Sequence, residues 1–412
     1  MADDDDVSET AIYKLEGGDR ATNGKTHKAI FQTGFGGSKV YILKEVPTPL
    51  VGKYEVQIKV KACGVSFQDL VIQQGATEGL PKTPFTPGFE CSGDIVAMGD
   101  QVSGFAVGDM VMVLTHYQAW AEVVTVPSVY AFKMPKNMSY EEGAAFPLAY
   151  TMAHLMLFHV GNIRQGMKIF AHSLGGSIGI AVAQICKNVV EEVILLGTAS
   201  AHKHEKLKDL ATVVFDLSAE YVFDSKQMYP EGLDLVLDNR YGEDFNKGFA
   251  LLAPLGKYIL YGSSCLVTPE GKSILNFAKS WWHVDKINPT KFMEDNLSLT
   301  GINFRKLFFA FPAEQGDRPI VLLRGIMKQL IEWYNHHKIK PIIDSIWAFD
   351  ELPEAMHKLH NRKNIGTVIL DPTREKLIVE TSQLHHSKPG TAVDPKNVVE
   401  GTVIGNVVMD ND

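Results

Sequence analysis

A chain of 412 residues, 45% hydrophobic and 21% charged, has ample material for a buried core and enough length for two or three domains. Its net charge of −8 argues against a broad nucleic-acid surface, and part of it sits in the run Asp3-Asp4-Asp5-Asp6, which reads as a solvated tail. Cys63, Cys91, Cys186 and Cys265 stand apart with no Cys-x-x-Cys pair. That argues against a disulfide framework or a cysteine-rich zinc lobe and fits a reducing, cytoplasmic compartment; the N-terminus lacks the basic-then-apolar pattern of a signal peptide.

Residues 1–24 are polar and glycine-bearing, the composition of a disordered acidic tail. From Lys28 the text is β-rich, with predicted strands at Lys28–Phe31, Val40–Leu43 and Glu55–Lys61, the last alternating as if one face were buried. Pro47-Thr-Pro49 and Leu50-Val-Gly-Lys53 read as turns between them. Ser92–Ala97, Gly108–Leu114 and Ala121–Val126 continue the pattern, so this part is expected to be an all-β, partly open barrel. Ser139-Tyr-Glu-Glu142 has the spacing of a capping box and opens a helix. Gly143 to Ile163 contains no Asp, Glu, Lys or Arg, but Pro147, Tyr150, His154, His159 and several alanines favour a buried interdomain helix over a membrane span.

From Ile169 strands alternate with helices: Val193–Leu196, Val213–Phe215, Leu233–Leu237 and Tyr258–Leu260 follow in turn, which predicts a doubly wound parallel sheet. Val321–His336 is an amphipathic helix. Thr367–Leu370 is a last strand that should return to the first domain, and the composition then becomes that of a flexible tail.

The stretch Lys168-Ile-Phe-Ala-His-Ser-Leu-Gly-Gly-Ser-Ile-Gly179 carries the most chemistry. An apolar strand breaks into a glycine turn and an apolar helix leaves it. This is the shape of a dinucleotide fold's first βα turn, where the backbone approaches a pyrophosphate and helix N–H groups face the anion. The next strand ends at Gly197-Thr-Ala-Ser200, where an NAD site would place a carboxylate on the ribose. Ser200 and Lys203 stand there instead, a hydroxyl and an ammonium suited to a 2′-phosphate, so NADP(H) is expected rather than NAD(H). Taken singly, the glycines would also serve a tight strand-to-helix connection, and Lys203 an exposed helix start.

The order of the parts, a β domain, an inserted dinucleotide domain and a C-terminal return, resembles the medium-chain dehydrogenase/reductase superfamily. Cys63-Gly-Val-Ser-Phe-Gln-Asp69 is similar to its Cys-Gly-x-x-x-x-Asp segment, and Pro87-Gly-Phe-Glu-Cys-Ser-Gly93 to its Pro-Gly-His-Glu-x-x-Gly turn. Thr198–Glu205, Lys279-Ser-Trp-Trp282, Ile339–Trp347 and Lys363-Asn-Ile-Gly366 are similar to the homologues of the synaptic vesicle membrane protein, a quinone-oxidoreductase-like branch.

The resemblance implies an α/β fold with a GroES-like partly open β-barrel catalytic domain (25–148 and 311–372) and a Rossmann domain with a doubly wound parallel sheet (149–310), ahead of a flexible tail from 373. A homodimer joined through the Rossmann sheets is also implied, with Tyr258–Cys265 as the candidate edge. Zinc-dependent members place a thiolate where this chain has Ser66 and an imidazole where it has Phe89, so no metal is expected. Without that Lewis acid, a conjugated acceptor that spreads the developing charge is the suitable substrate: a quinone or an α,β-unsaturated carbonyl.

The expected site follows. Gly175, Gly176, Ser177, Ile178 and Gly179 take the pyrophosphate, Gly197 and Thr198 seat the ribose, and Ser200 and Lys203 hold the 2′-phosphate. Tyr261 and Gly262 lie at a strand's carboxyl end and line the nicotinamide. Phe304 and Asn364 resemble pocket residues, although packing or a loop hydrogen bond would explain either. Ser66 and Asp69 orient the substrate, or Asp69 fixes the local loop. Several positions depart from the family: Leu174 and Ser177 for fingerprint glycines, Met152 for a threonine (with Thr151 adjacent), Ser66 for an asparagine and Thr77 for a tyrosine. They leave two readings, an NADPH-dependent reductase and a catalytically weak nucleotide-binding adaptor held peripherally on vesicles or organelle membranes.

Overall fold

The computed structural model describes residues 22–375, apart from 78, 218, 263, 265–266, 268–288 and 311–317. The Asp3–Asp6 run, residues 1–21 and 376–412 of the expected tails, Cys265 and the Lys279–Trp282 phrase lie outside the described residues; residues 22–24, expected in the disordered tail, stand instead at the start of a strand.

The first half is antiparallel. β1 (Thr22–Gln32) and β2 (Tyr41–Pro49) form a two-stranded ribbon. Pro47 and Pro49, expected in a turn, pair instead with Thr26 and Thr22; a proline that donates no hydrogen bond is tolerated in a strand with only one neighbour. β3 (Glu55–Val65) is the centre of a seven-stranded sheet. It pairs antiparallel with β4 (Glu90–Met98), β6 (Val123–Pro127) and β15 (Thr367–Asp371). β4 continues to β5 (Met110–Leu114) and β7 (Ala131–Lys133), and β15 to a parallel partner, β14 (Ile343–Ala348). The one-faced burial expected of β3 is corrected: Gln57 is buried too, because the end of β2 covers it, and its Nε2 donates to Pro49 O (2.9 Å) and Thr125 Oγ1 (3.0 Å).

The second half is a six-stranded, wholly parallel sheet. Its strands are β8 (Lys168–Ala171), β9 (Ile194–Thr198), β10 (Val213–Phe215), β11 (Leu233–Asp238), β12 (Leu252–Leu260) and β13 (Ser298–Gly301), in spatial order β10-β9-β8-β11-β12-β13. Counted from β8 this is the 3-2-1-4-5-6 order of dinucleotide-binding sheets, with its switch point between β8 and β11. β13 overturns one expectation: Tyr258 and Ile259 pair with Leu299 and Thr300, so Tyr258–Leu260 is interior and β13 forms that edge.

Four helices bear on the site: α1 (Phe67–Gln73), α2 (Tyr140–Ala144), α3 (Pro147–His154) and α4 (Ser177–Asn188). The charge-free stretch is buried, as its composition predicts: α3 runs into a π-helical turn, Leu155–Val160, and shares one apolar core with α4 and the helix Arg318–Asn335. Among the described residues no helix is long and apolar enough to cross a membrane.

The capping box at Ser139 does more than start α2. Its Glu142 Oε2 also accepts Tyr334 OH at 2.6 Å, and Oε1 meets Lys340 Nζ at 2.9 Å. Burial raises this carboxyl, but the hydroxyl, the ammonium and the Ser139 amide outweigh it and hold it below the usual glutamate range. A depressed carboxyl contributes its stability above its unfolded value and loses it as pH falls through the folded one. Glu142→Ala is therefore expected to cost about 1–3 kcal/mol in denaturant unfolding at neutral pH, with the gap to wild type narrowing below the carboxylate range.

Candidate active site

The glycine turn is built by close approach. The strand β8 ends at Ala171, and Leu174 N–H donates to Thr198 O at 3.0 Å, which folds the turn back over β9. The Leu174 side chain is fully buried. It occupies the space above Gly197, where an added Cβ would stand 2.7 Å from Leu174 Cδ1 and 2.2 Å from Ala171 O. The bulky residue at the first fingerprint position is thus absorbed by the glycine on the next strand and does not enter the turn. At the other side of the turn, a Cβ on Gly179 would stand 2.5 Å from Ser173 O, so the start of α4 sits directly against it.

α4 opens at Gly176 with no side-chain cap and no acidic residue in its first turn. The amides of Ser177, Ile178 and Gly179 have no intrahelical acceptor, and these residues line a cavity of 540 Å³ between the two sheets. The bridge between Gly176 and Gly366 directs the Ser177 amide at Gly366 O; the amides of this positive helix end, those of Ile178 and Gly179 above all, are a donor set that fits a pyrophosphate. The opposite wall comes from the antiparallel half: Val65, Ser66, Phe67, Phe89 and Glu90, with Leu148 and Met152 from α3. Tyr261, Gly262, Phe304 and Arg305 close the remaining side.

A loop of the other half is tied to this turn. Gly366 N–H donates to Gly175 O (2.9 Å) and Thr367 Oγ1 to Ser177 Oγ (2.9 Å), while Lys203 Nζ donates to Asn364 O (2.6 Å). Lys203 is only 6% exposed, with its stem against Gly175. Burial pushes its ammonium down to about 8, against an opposing effect of Asp344 and a reinforcing one of Arg362.

Of the residues the sequence singles out, Ser66, Gly176, Ser177, Ile178, Gly179, Tyr261, Gly262 and Phe304 line the cavity. Gly175, Gly197, Thr198, Ser200, Lys203, Asn364 and Asp69 are not among its lining residues. Gly197 and Thr198 are inside the turn's support, where Thr198 Oγ1 meets His172 Nδ1 at 3.1 Å. Gly175 packs on the Lys203 stem, whose own amide donates to Ser200 O (2.9 Å), and Asn364 closes its own loop through Nδ2 to Gly366 O at 2.8 Å. Asp69 is 2% exposed and fixes the loop: its Oδ2 accepts Ser66 N–H (2.8 Å) and Ser66 Oγ–H (2.7 Å). Desolvation pushes it up to about 7, although those bonds pull it down. Met152 faces the cavity and its neighbour Thr151 does not, being buried with Oγ1 on Met327 Sδ at 3.4 Å.

Glu90, Asn239, Arg305 and Thr367 also line the cavity and are not among the expected site residues. Glu90 was in view within the Pro-Gly-x-Glu turn, and Asn239 follows a strand's carboxyl end, a position that carries ligands in such sheets. Arg305 has no sequence signal; the fold brings it there, where Nη1 donates to Gly79 O (2.6 Å) and Tyr117 OH (3.1 Å). Among the described residues no three His, Cys, Asp or Glu side chains converge as a metal cluster. The turn's packing gives a direct test. Gly197→Ala forces a methyl group onto the Ala171 carbonyl and Leu174, and is expected to cost about 1–3 kcal/mol or more in unfolding experiments, whereas an unchanged stability would contradict the packing described.

Known proteins agree with this geometry. Residues 52–136 match the family described as alcohol dehydrogenase GroES-like domain, and residues 211–370 match that described as zinc-binding dehydrogenase. The chain is 47% identical over 368 residues to the mouse (Mus musculus) synaptic vesicle membrane protein VAT-1 homolog-like, covering 88% of this chain and 86% of that protein. It is 27% identical over 357 residues to human (Homo sapiens) quinone oxidoreductase, covering 85% and 99%.

The crystal structure of the human VAT-1 homolog-like protein superposes with a TM-score of 0.74 at 42% identity, covering 85% of this chain and 99% of that one. The Escherichia coli quinone oxidoreductase complexed with NADPH shares the fold, with a TM-score of 0.71 at 20% identity over 84% of this chain and 100% of that one. The two sheets, the turn between them and these similarities identify the chain as a member of the medium-chain dehydrogenase/reductase superfamily of oxidoreductases, in the quinone-oxidoreductase-like branch of the VAT-1 homologues.

Proposed function

We propose that this chain is a zinc-independent, NADPH-dependent oxidoreductase that transfers hydride to quinone-like or α,β-unsaturated carbonyl acceptors. One observation carries the reading: one cavity has the first turn of α4 on one wall and a mainly apolar wall, with Ser66 and Glu90, on the other. The amides of Ser177, Ile178 and Gly179, with the Gly175-Gly176 backbone, would hold the pyrophosphate, and the Gly197-Thr198 backbone would support the ribose. Ser200 and Lys203 would take the 2′-phosphate. Tyr261, Gly262 and Phe304 would border the nicotinamide, and Ser66, positioned by Asp69, the acceptor. Bound there, the cofactor supplies a hydride, and the chain's part is to hold the acceptor beside it and keep bulk water out. The zinc-independence rests on residue types: a hydroxyl at Ser66 and a phenyl ring at Phe89 replace two ligands of the metal-dependent members.

Lys203 tests the cofactor choice. Replacing a charge-assisted contact by repulsion in Lys203→Glu should weaken NADPH binding about 10- to 100-fold and leave NADH nearly unchanged, as read by nicotinamide fluorescence. Because the ammonium loses its proton near 8, the wild-type preference for NADPH should decline as pH rises through that value. Equal affinities of the variant and the wild type for NADPH would remove Lys203 from the site.

One observation favours the second reading, a nucleotide-binding adaptor with weak turnover that contacts vesicle or organelle membranes peripherally. The Lys203 ammonium already has a partner in Asn364 O. NADPH oxidation with menadione and chalcone separates the two, since the reductase predicts turnover of about 1–10³ per second and the adaptor predicts binding without it. A homodimer would use β13, the exposed edge of the parallel sheet.

A further inference from the structure

Glu90 is a carboxyl on the cavity wall that nucleotide binding does not use. It begins β4, is 3% exposed, and lines the cavity beside Ser66 and Phe89. Its position is fixed from two sides. Oε2 accepts the Leu148 amide at the start of α3 (2.8 Å), and Oε1 lies over Gly64, where a side chain would leave no room: an added Cβ would stand 2.8 Å from it. The carboxyl therefore stands beside the two positions, Ser66 and Phe89, at which metal-dependent relatives keep ligands.

The groups around it are Asp69 on α1, Cys91 on its own strand, and Tyr261 and Arg305 elsewhere on the cavity wall. Among the described residues none of the ion pairs involves Glu90. Desolvation pushes the carboxyl up to about 8, against the Leu148 amide and with help from Asp69. An apolar site can keep a carboxylic acid protonated at neutral pH so that it serves as a donor.

We propose that Glu90 is the general acid of this cavity and delivers the proton that follows the hydride. The inference rests on the reductase reading and deepens it. When bound, reduced nicotinamide would supply a hydride to the β-carbon of the acceptor, the C=C pair shifting toward the carbonyl carbon and the C=O pair to oxygen to leave an enolate. The Glu90 O–H bond then breaks, its proton passes to the enolate, and its electron pair stays on the carboxylate. Water entering the cavity reprotonates Glu90. One hydride, which the cofactor would supply, and one proton from Glu90 would be consumed per acceptor reduced.

Glu90→Gln tests this, because the amide keeps the size and an acceptor for the Leu148 N–H but has no acidic proton. With menadione and chalcone as acceptors, kcat should fall about 10²- to 10⁴-fold, while the NADPH Kd from fluorescence stays within about threefold. Wild-type kcat should decline above about pH 8, where Glu90 loses its proton, and the variant should lose that limb of the profile. A variant within about twofold of wild type, with the same pH profile, overturns the proposal and leaves the reductase reading standing. Should the wild type bind NADPH yet reduce neither acceptor, the reading and the proposal fall together. If the variant does not fold, the wild-type profile decides: a flat profile from about pH 6 to 10 overturns the assignment.

Discussion

The cavity exists because one loop of the antiparallel half is tied to the glycine turn of the parallel half. Gly366 N–H on Gly175 O, Thr367 Oγ1 on Ser177 Oγ and Lys203 Nζ on Asn364 O cross between the two sheets within a few residues. Each bond contributes on the order of 0.5–3 kcal/mol, modest alone, but they act on the short stretch whose position sets the cavity wall. The loop leads directly into β15, which pairs with β3. Displacing it would therefore disturb the central strand of the other sheet. The helix amides and the acceptor wall are thereby held in one frame, which is what a reaction needing two molecules in contact requires.

Within that frame the departures from the family pattern acquire physical meaning. Leu174 would threaten the turn if it pointed outward, yet it fills a space that exists only because residue 197 is glycine. Met152 replaces a hydroxyl on the cavity wall by a flexible thioether, and Thr151 does not substitute for it, being turned into the core. This side of the cavity is consequently more apolar than the family pattern implies. Ser66 keeps a hydroxyl at the wall but spends its proton on Asp69. Glu90 then remains as a carboxyl on that wall with no ion-pair partner among the described residues.

Much of the parallel half was legible because buried strands are short apolar runs and their alternation with helices dictates the topology. Val213–Phe215 appears with the bounds its sequence predicts. β13 was not legible: Ser-Leu-Thr-Gly is four residues long at a sheet edge and carries little apolar pattern. β14, Ile-Asp-Ser-Ile-Trp-Ala, is interrupted by two polar residues and half-buried along most of its length, so neither period stands out. Pro47 and Pro49 read as a turn because their tolerance in a strand depends on having only one neighbour, which is tertiary information. The site divides in the same way. The glycine turn and the strand-end pair Tyr261-Gly262 are local signals. The Lys203–Asn364 contact joins residues 161 apart in sequence, and Arg305 reaches the wall from a segment with no motif of its own.

The central claim is that the first turn of α4 binds the anionic centre of a nicotinamide nucleotide inside this cavity. Amide hydrogen exchange with and without saturating NADPH addresses it at the atoms concerned. The account predicts slower exchange at Ser177, Ile178 and Gly179, with smaller changes along the Asn364–Thr367 loop and little change in the β1–β2 ribbon. Unchanged exchange across 175–179 at a nucleotide concentration that quenches or enhances nicotinamide fluorescence would place the ligand elsewhere and contradict the account.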